Sequence, residues 1–433
     1  MLGAGEARFG TMTLLSEFLK HGEREYTHKR LGLDRIREVL AALGNPHQAY
    51  PSVLIAGTNG KGSVARMVEA VLLQAGHRAG LYTSPHLASF EERIRIAGQE
   101  IAAEDCERIL ADFVKAKILS PEGGMLTPAG EALTWFEKTT VLAFEAFRRA
   151  EVSLAVLEVG LGARLDATNV SDPIVSAVTS IGKDHTEVLG DSPFDIAREK
   201  SAVMRPGRPL VLGPMEAPVR TFLMKAARMA GAHPVIPPWP EGDTESFSYG
   251  PFSNLSLGLK GRHQLGNAAT AIEILVALKE AGWEIDNRTL REGLSRVRFP
   301  GRFELFEGRP ALLFDGAHNE PGWESLAREL SAQFSGRPLT LVLGTLRGRS
   351  GRRALEIFQK VAGRLALTEV PSPRSLSVEE WRKILASPLS YEETEVFSDP
   401  AAAWQWAREK TPREGLIVVA GSLYLVGALR KLI

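Results

Sequence analysis

The sequence predicts an α/β protein with a larger N-terminal domain, built on a mostly parallel sheet, and a smaller C-terminal α/β domain. The chain has 433 residues, well above the roughly 150 of an average domain. Short β-branched and aliphatic runs alternate with segments of helical apolar spacing, which is the pattern of a parallel sheet covered by helices. The alternation begins afresh after Arg298–Arg302, so we assign residues 1–298 and 299–433 to the two domains.

The composition is that of a water-soluble globular protein. Apolar residues make up 44% and charged residues 24% of the chain, and no apolar run approaches the roughly 20 residues that span a bilayer. Basic and acidic residues balance at 52 each, which gives no electrostatic reason to expect nucleic acid or a membrane surface as a partner. Cys106 is the single cysteine and Met1–Gly10 lacks the apolar core of a signal peptide, so we expect a cytoplasmic protein without intramolecular disulfides.

A glycine-rich loop, Gly57–Ser63, lies between the first predicted strand and helix of the sheet. Val53–Ala56 has the apolar character of a buried strand, and Val64–Ala75 has apolar residues at helical spacing. Glycines let backbone N–H groups approach a ligand, the helix N-terminus favours negative charge, Lys61 neutralises phosphate and Ser63 can reach Mg²⁺. The loop therefore predicts a nucleoside triphosphate site, although its spacing departs from the usual P-loop. A glycine-rich turn with a surface lysine is the structural alternative.

The remaining elements follow from the same two patterns. Helical spacing predicts two helices within residues 11–43, broken near 26–30, and others over 129–150, around 198–201 and over 268–278. Strands are predicted at 79–82, 154–157, 174–181, 312–314, 339–343 and 416–420, with a strand or hairpin at 92–98 and a strand–helix–strand unit over 208–238. Residues 239–256, which contain proline, glycine and serine, indicate a connection.

Several predicted strands end in polar side chains. Ser84 follows the strand at 79–82, Glu158 follows 154–157 and His185 follows 174–181, while Asp315 and His318 follow 312–314. Ligands bind beyond the carboxyl ends of parallel strands, so the first three are expected at the same edge as the glycine loop. Turn formation, helix capping and ion pairing are the structural alternatives for each of them.

Six motifs, in order, resemble the folylpolyglutamate synthases of the Mur ligase superfamily. They are Gly57–Ser63, Thr83–Leu87, Glu158–Gly162 with Arg164–Asn169, Asp184–Thr186, Pro300–Arg302 and Asp315–Asn319. The resemblance covers nearly the whole chain. It implies a P-loop ATPase domain followed by a Rossmann-like glutamate ligase domain, in an enzyme expected to be a monomer. Such an enzyme phosphorylates a folate carboxylate with ATP and joins it to L-glutamate, and many bacterial members also use 7,8-dihydropteroate.

The resemblance further implies a role for each site residue. ATP is expected at Gly57, Thr58, Asn59, Gly60, Lys61, Gly62, Ser63, Asn267, Arg302, Asp315 and His318, with Asn267 on the adenine and Arg302 on the phosphates. Two Mg²⁺ ions are expected near Ser63, Ser84, Glu158, His185 and Lys200, and Lys200 is expected to be carbamylated to N6-carboxylysine. The folate is expected at Ser84, Thr134, Leu165, Asp166 and Ala167. The expected catalytic residues are Lys61, His185, Lys200 and Arg302.

The chain departs from the family pattern at six positions. At five of them the charged groups of the motifs stay intact: the family's glycine, alanine, glycine, isoleucine and proline are here Ala163, Ser201, Ala202, Val203 and Glu320. Arg30 stands where bifunctional members often have an aspartate, immediately before Leu31–Leu33. That last departure leaves the dihydropteroate reaction open.

Two other functions remain in view. One is a Mur-type amide ligase that acts on a nucleotide-linked peptide, against which the Pro85–His86 loop and the Asp315–His318 motif argue. The other is a P-loop module that hydrolyses nucleotide to control a partner. A switch protein has no need of a second domain that contributes Arg302, Asp315 and His318, which argues against it.

Overall fold

The computed structural model describes residues 13–20, 32–387 and 389–433. Its largest sheet has eight strands and comes from the first part of the chain. The strands are β1 (Ser52–Ala56), β2 (Ala79–Tyr82), β3 (Ile94–Ile96), β4 (Gln99–Glu100), β5 (Leu154–Glu158), β6 (Val175–Val178), β7 (Pro209–Leu212) and β8 (His233–Val235). Their order across the sheet is β4-β3-β2-β5-β1-β6-β7-β8, with β3 and β4 antiparallel and the others parallel.

Alternate residues of the central strand β1 face two separate apolar cores. Val53 and Ile55 pack with α3 (Lys61–Gln74), α9 (His263–Glu280) and α10 (Asn287–Arg296). Leu54 and Ala56 face the other core. Its helices are α1 (Leu14–Leu19), α2 (Asp34–Ala42), α4 (Ala103–Lys115), α5 (Trp135–Arg149), α7 (Pro193–Lys200) and α8 (Ala217–Met229), and a single turn, α6 (Thr186–Leu189), follows β6. Because helices cover both faces, the strand ends are left for ligands.

A six-stranded sheet forms the second part of the chain. Its strands are β12 (Glu304–Phe306), β13 (Ala311–Phe314), β14 (Leu339–Leu343), β15 (Arg364–Thr368), β16 (Glu393–Phe397) and β17 (Leu416–Ala420), in the order β12-β13-β17-β14-β15-β16. The helices are α11 (Glu320–Gln333), α12 (Gly351–Phe358), α13 (Val378–Leu385), α14 (Pro400–Lys410) and α15 (Leu423–Arg430). All pairs are parallel except β12 with β13. The predicted α/β class, with a larger and a smaller sheet domain, is therefore confirmed, while the boundary at 298/299 stays a prediction.

The structure corrects three predicted segments. Residues 239–256 are more than a connection, because β9 (Glu241–Gly242), β10 (Phe247–Tyr249) and β11 (Phe252–Leu255) form a small antiparallel sheet. The helix predicted from residue 129 begins only at Trp135, since Thr134 caps it. The helix predicted from residue 268 begins earlier, at His263. Arg30 lies outside the described residues.

In the described ranges, no helix combines the length and the apolar character that crossing a bilayer requires.

Candidate active site

A cavity of about 450 Å³ lies where the carboxyl ends of the two large sheets meet. Residues that follow β1, β2, β5 and β6 line it on one side, and residues that follow β13, β14 and β17 line it on the other. The predicted site residues among the lining are Gly57–Ser63, Ser84, Glu158, His185, Lys200, Asn267, Arg302, Asp315 and His318. Side chains that are distant in the sequence therefore share one space.

The glycine loop has a backbone conformation that needs glycine at two points. Gly57 and Gly60 have positive φ values of 148° and 87°. A Cβ at Gly57 would lie 1.9 Å from Thr179 Oγ1, and one at Gly60 would lie 2.3 Å from Asn267 Oδ1. Helix α3 begins at Lys61, so the free backbone N–H groups of its first turn lie at the glycine loop, which lines the cavity. This arrangement suits a bound polyphosphate.

Two lysines meet at the base of this loop. Lys61 Nζ donates to the carbonyl oxygens of Gly57 and Thr58, at 3.0 and 3.2 Å, and Lys200 Nζ donates to Gly57 O at 2.8 Å. Burial lowers the pKa of Lys200 well below its ordinary value, and the neighbouring Lys61 lowers it further. Burial also lowers the pKa of Lys61, although the Glu158 carboxylate opposes this. Lys61 keeps a carboxylate beside it, whereas the Lys200 amine is strongly biased towards its neutral form.

Glu158 is a buried carboxylate at the end of β5. Its Oε2 accepts a hydrogen bond of 3.1 Å from the backbone N–H of Ser84. Ser84 follows β2, the strand that pairs with β5. Burial raises the pKa of Glu158, while Lys61, the Ser84 N–H and Arg302 lower it. No ion pair within 4.0 Å neutralises this carboxylate among the described residues. A group of this kind is suited to bind a cation.

The second sheet contributes charged and ring groups to the same cavity. Asp315 accepts hydrogen bonds of 2.8 Å from the backbone N–H groups of Phe303 and Ala317, which fixes the turn that carries Arg302. His318 Nδ1 lies 2.8 Å from Gly316 O, and burial lowers the pKa of this histidine to about 4. Burial and the proximity of His318 lower the pKa of His185 to about 4 as well. Both imidazoles are therefore neutral at pH 7.

A hydrogen-bond network joins the glycine loop to the second sheet. The side-chain amides of Asn59 and Asn319 pair reciprocally, with both distances 3.0 Å. Asn319 Nδ2 also donates to Asp184 Oδ2 at 2.8 Å, and its Oδ1 accepts from Gly322 N at the start of α11. Asp184 forms an ion pair with Arg349. This network fixes how the two sides of the cavity face each other.

Asn319→Asp should reduce turnover and lower the midpoint of urea unfolding. The carboxylate still accepts from Gly322, so the helix cap is kept, but it can no longer donate to Asp184 and stands against that carboxylate. We expect a cost of about 1–3 kcal/mol, the usual effect of losing a buried hydrogen-bond partner. Asn287→Asp, an equivalent change at the exposed first residue of α10, is the control. If the two variants behaved identically, the network would not be what holds the two sides of the cavity together.

Four predicted substrate residues do not line the cavity. The Thr134 hydroxyl accepts from Glu137 N as the N-cap of α5, and Leu165 and Ala167 flank a buried carboxylate. That carboxylate, Asp166, accepts from Leu161 N and from the backbone and hydroxyl of Thr168. Asp166 therefore holds its own loop together, and the substrate role of these four residues stays a prediction.

Several cavity residues were not predicted as site residues from the sequence. Thr179 and Ser180 donate through their hydroxyls to Asn59 O, at 2.6 and 3.0 Å, and so fix the glycine loop from the end of β6. Thr345 and Arg349 line the cavity after β14, and Trp239 lines it from the segment before β9. Polar residues at strand ends were a usable signal for Thr179, Ser180 and Thr345. No sequence signal indicated Arg349 or Trp239.

The acidic and imidazole side chains do not form a metal site by themselves. In the described part of the chain, no three side chains of histidine, cysteine, aspartate or glutamate cluster as a metal site. A hard cation would have to combine Glu158 with hydroxyl, water and phosphate oxygens. Magnesium is bound in this way in nucleotide enzymes, through one or two carboxylates and substrate phosphates.

Together, the fold and the cavity define an ATP-dependent ligase of the Mur ligase superfamily, with a phosphate loop on one sheet and an arginine on the next. A family model described as the Mur ligase glutamate ligase domain matches residues 301–423. The dihydrofolate synthase/folylpolyglutamate synthase of Escherichia coli (strain K12) is 33% identical over 93% of this chain and 91% of its own length. The chain belongs to the folylpolyglutamate synthase/dihydrofolate synthase family.

Solved structures of relatives have the same architecture. E. coli FolC in complex with DHPP and ADP is 30% identical, with a TM-score of 0.83 and 97% of both chains covered. A bifunctional folylpolyglutamate synthase/dihydrofolate synthase with Mn, AMPPNP and L-glutamate bound is also 30% identical, with a TM-score of 0.83 and 98% of both chains covered. A Mycobacterium tuberculosis folylpolyglutamate synthase complexed with ADP has a TM-score of 0.86 at 30% identity, with 97% of this chain and 98% of that chain covered.

Proposed function

We propose that this protein uses MgATP to join L-glutamate to folates, and to 7,8-dihydropteroate as well. The observation that carries the proposal is the position of Lys61 and Arg302, which face one cavity from two different sheets. The similarity to structures with a nucleotide, Mn, L-glutamate or DHPP bound supports this choice of ligands. In the proposed reaction, a substrate carboxylate oxygen attacks the γ-phosphorus of ATP, and ADP leaves. The glutamate amine then attacks the acyl carbon, phosphate leaves, and the amine proton passes to solvent.

The chain's own groups would bind the triphosphate at the glycine loop. The loop N–H groups and Lys61 would hold the β- and γ-phosphates, and Arg302 would add charge from the second sheet. Asn267, with Asp315 and His318, would hold the nucleoside side. Since Arg302 reaches the phosphates only when the domains are together, closure would exclude water from ATP and from the acyl phosphate.

One magnesium ion would fit near Ser63, Ser84 and Glu158. A second magnesium ion would fit near His185. Glu158 supplies a buried carboxylate that forms no ion pair with any residue the structure describes, and the hydroxyls and phosphates supply further oxygens. Neutral His185 has a lone pair to offer, although imidazole is a less usual magnesium ligand than oxygen. When bound, the metal would neutralise charge that builds up on the transferring phosphoryl group.

We further propose that Lys200 is carbamylated. Lys200 is 5% exposed, and its amine is strongly biased towards the neutral form that captures CO₂. The resulting carbamate would place an anion beside Lys61 and near His185, where it would attract a metal. Asp166 also contributes negative charge in this region, which offsets part of the cost of a buried lysine.

The carboxylates of glutamate would bind to three residues of the cavity lining, Arg349, Arg374 and Thr345. Burial and, secondly, the nearby Arg374 guanidinium lower the pKa of Arg349 to about 10, so the two cations lie close enough to interact. Thr345 Oγ1 is buried in the cavity wall and has no hydrogen-bond partner in the described part of the chain. Two guanidiniums and a free hydroxyl suit an amino acid with two carboxylates.

We also propose that the working form is a cytoplasmic monomer that binds only small molecules. Residues that follow strands of both large sheets of this chain line the cavity, which supports a monomer as the working form. The lone Cys106 is buried in α4 and free, as expected in a reducing compartment. Sedimentation analysis at the protein concentrations used for the assays tests whether the protein is a monomer.

ATP consumption measured with and without each co-substrate tests the proposed function. Turnover should require both glutamate and either a folate or dihydropteroate. ATP hydrolysis that is independent of both would instead indicate a nucleotide switch. A nucleotide-linked peptide that replaces the folate would identify another Mur-type ligase.

Arg302→Ala should reduce kcat far more than it weakens folate binding. The guanidinium is proposed to contact phosphates in the closed state, so its loss removes transition-state stabilisation. Steady-state kinetics combined with direct folate binding separate the two effects. Arg298→Ala, four residues earlier and outside the cavity lining, is the control. If folate affinity alone changed, Arg302 would belong to the substrate pocket.

A further inference from the structure

Trp239 is a large apolar side chain left unusually open to solvent. Its indole is 49% exposed, and it lies in the segment between β8 and β9. The exposed ring lines the cavity that contains the glycine loop. Exposing an indole gives up stabilisation that burial would provide, so a ligand that covers the ring would recover it.

The indole rests on the first turn of α9. A Cβ added to Gly266 would lie 3.0 Å from Trp239 Cζ3 and 2.6 Å from Pro214 Cγ, so the indole and the proline both contact the helix backbone there. The next residue, Asn267, has its Oδ1 2.3 Å from where a Cβ of Gly60 would stand. A short path therefore links the phosphate-binding loop, through the first turn of α9, to the indole.

Topology indicates which part of the ligand reaches the indole. The sheet order β2-β5-β1-β6-β7 places the glycine loop, after β1, at the centre. Ser84 and Glu158, where the acyl substrate is proposed to react, lie on the β2 and β5 side. Pro214, which follows β7, and Trp239 lie on the opposite side. A flat group near Trp239 is thus connected to the phosphates and separated from the reacting carboxylate.

We infer that the Trp239 indole stacks on the adenine base of ATP and supplies base-dependent affinity. This inference rests on the proposed function, because it needs the glycine loop to hold the phosphates. The exposed part of Trp239 would cover the base, while its Cζ3 atom lies close to Gly266 in the first turn of α9. Its effect should therefore depend on the base and be absent for a ligand that has only phosphates.

Calorimetry on the full chain tests this with two ligands, MgATP and magnesium tripolyphosphate. Trp239→Ala should weaken MgATP binding about 10-fold, a typical effect of losing one base–aromatic stack, and leave tripolyphosphate binding unchanged. Trp239→Phe should retain most of the affinity. Equal weakening of both ligands would reduce Trp239 to a structural role, and unchanged MgATP binding would remove it from the base site.

Fluorescence provides a second readout that a structural role would not produce. MgATP should quench part of the indole emission of the wild type, and this quenching should disappear in Trp239→Phe. Trp283→Phe is the matched control, because Trp283 packs against His77 and does not line the cavity. Quenching by a folate but not by MgATP would overturn the inference. Failure of the wild type to bind either phosphate ligand would contradict the proposed function itself.

Discussion

Lys61→Ala should abolish ligase turnover while the protein remains folded. The lysine lies on the first turn of α3 at the cavity, where it supplies charge to phosphates and contributes little to either apolar core. Removing a group that stabilises developing charge costs about 3–4 kcal/mol, or 10²–10³-fold in kcat. The substitution removes the two hydrogen bonds from Lys61 Nζ to Gly57 O and Thr58 O, but the Thr179 and Ser180 hydroxyls still hold the loop through Asn59 O. Circular dichroism should therefore be unchanged.

Lys183→Ala is the control for Lys61. Lys183 is exposed and outside the cavity lining, although it is close in sequence to His185. It should retain wild-type turnover. Near-normal activity in Lys61→Ala would mean that the glycine loop is a structural turn.

Lys200→Ala should be nearly inactive and partly rescued by short carboxylic acids such as acetate. The vacated space is buried beside Gly57, and an added carboxylate would replace the anionic end of the carbamate. Lys200→Arg should stay inactive, because a guanidinium is always positively charged and cannot be carbamylated. Kinetics with and without added acid measure the rescue.

Arg198→Ala is the matched control for Lys200, since it lies on the same helix with its side chain exposed and paired to Asp195. It should be active and indifferent to acetate. Full activity in Lys200→Arg would contradict the proposal. So would an intact mass that shows an unmodified lysine in active protein kept in bicarbonate buffer.

The central strands and the glycine loop were predictable from the sequence because their physics is local. Strands β1, β5 and β17 are buried on both faces and are apolar apart from Ser52 at the start of β1 and Glu158 at the end of β5, and such runs rarely form anything but a buried strand. Glycines, lysine and serine before a helix likewise specify a phosphate loop from neighbouring residues alone.

What could not be predicted depends on contacts between distant segments. Strands β9 to β11 have only two to four residues each, and several of these residues are exposed. The alternation of apolar and polar residues that marks a strand is therefore not visible in the sequence. The Asn59–Asn319–Asp184 network requires the orientation of one sheet relative to the other, which no local pattern contains. The start of α5 was predicted too early, at residue 129. Thr134 and Glu137 form a capping box that marks the true start.

Product mass is the most direct test of the central claim. The protein is incubated with MgATP, L-glutamate and either tetrahydrofolate or 7,8-dihydropteroate, and the products are separated and weighed by mass spectrometry. The account predicts that each pterin compound gains the mass of one glutamyl residue, with ADP and phosphate formed in step. ATP consumed without any glutamylated product would contradict it.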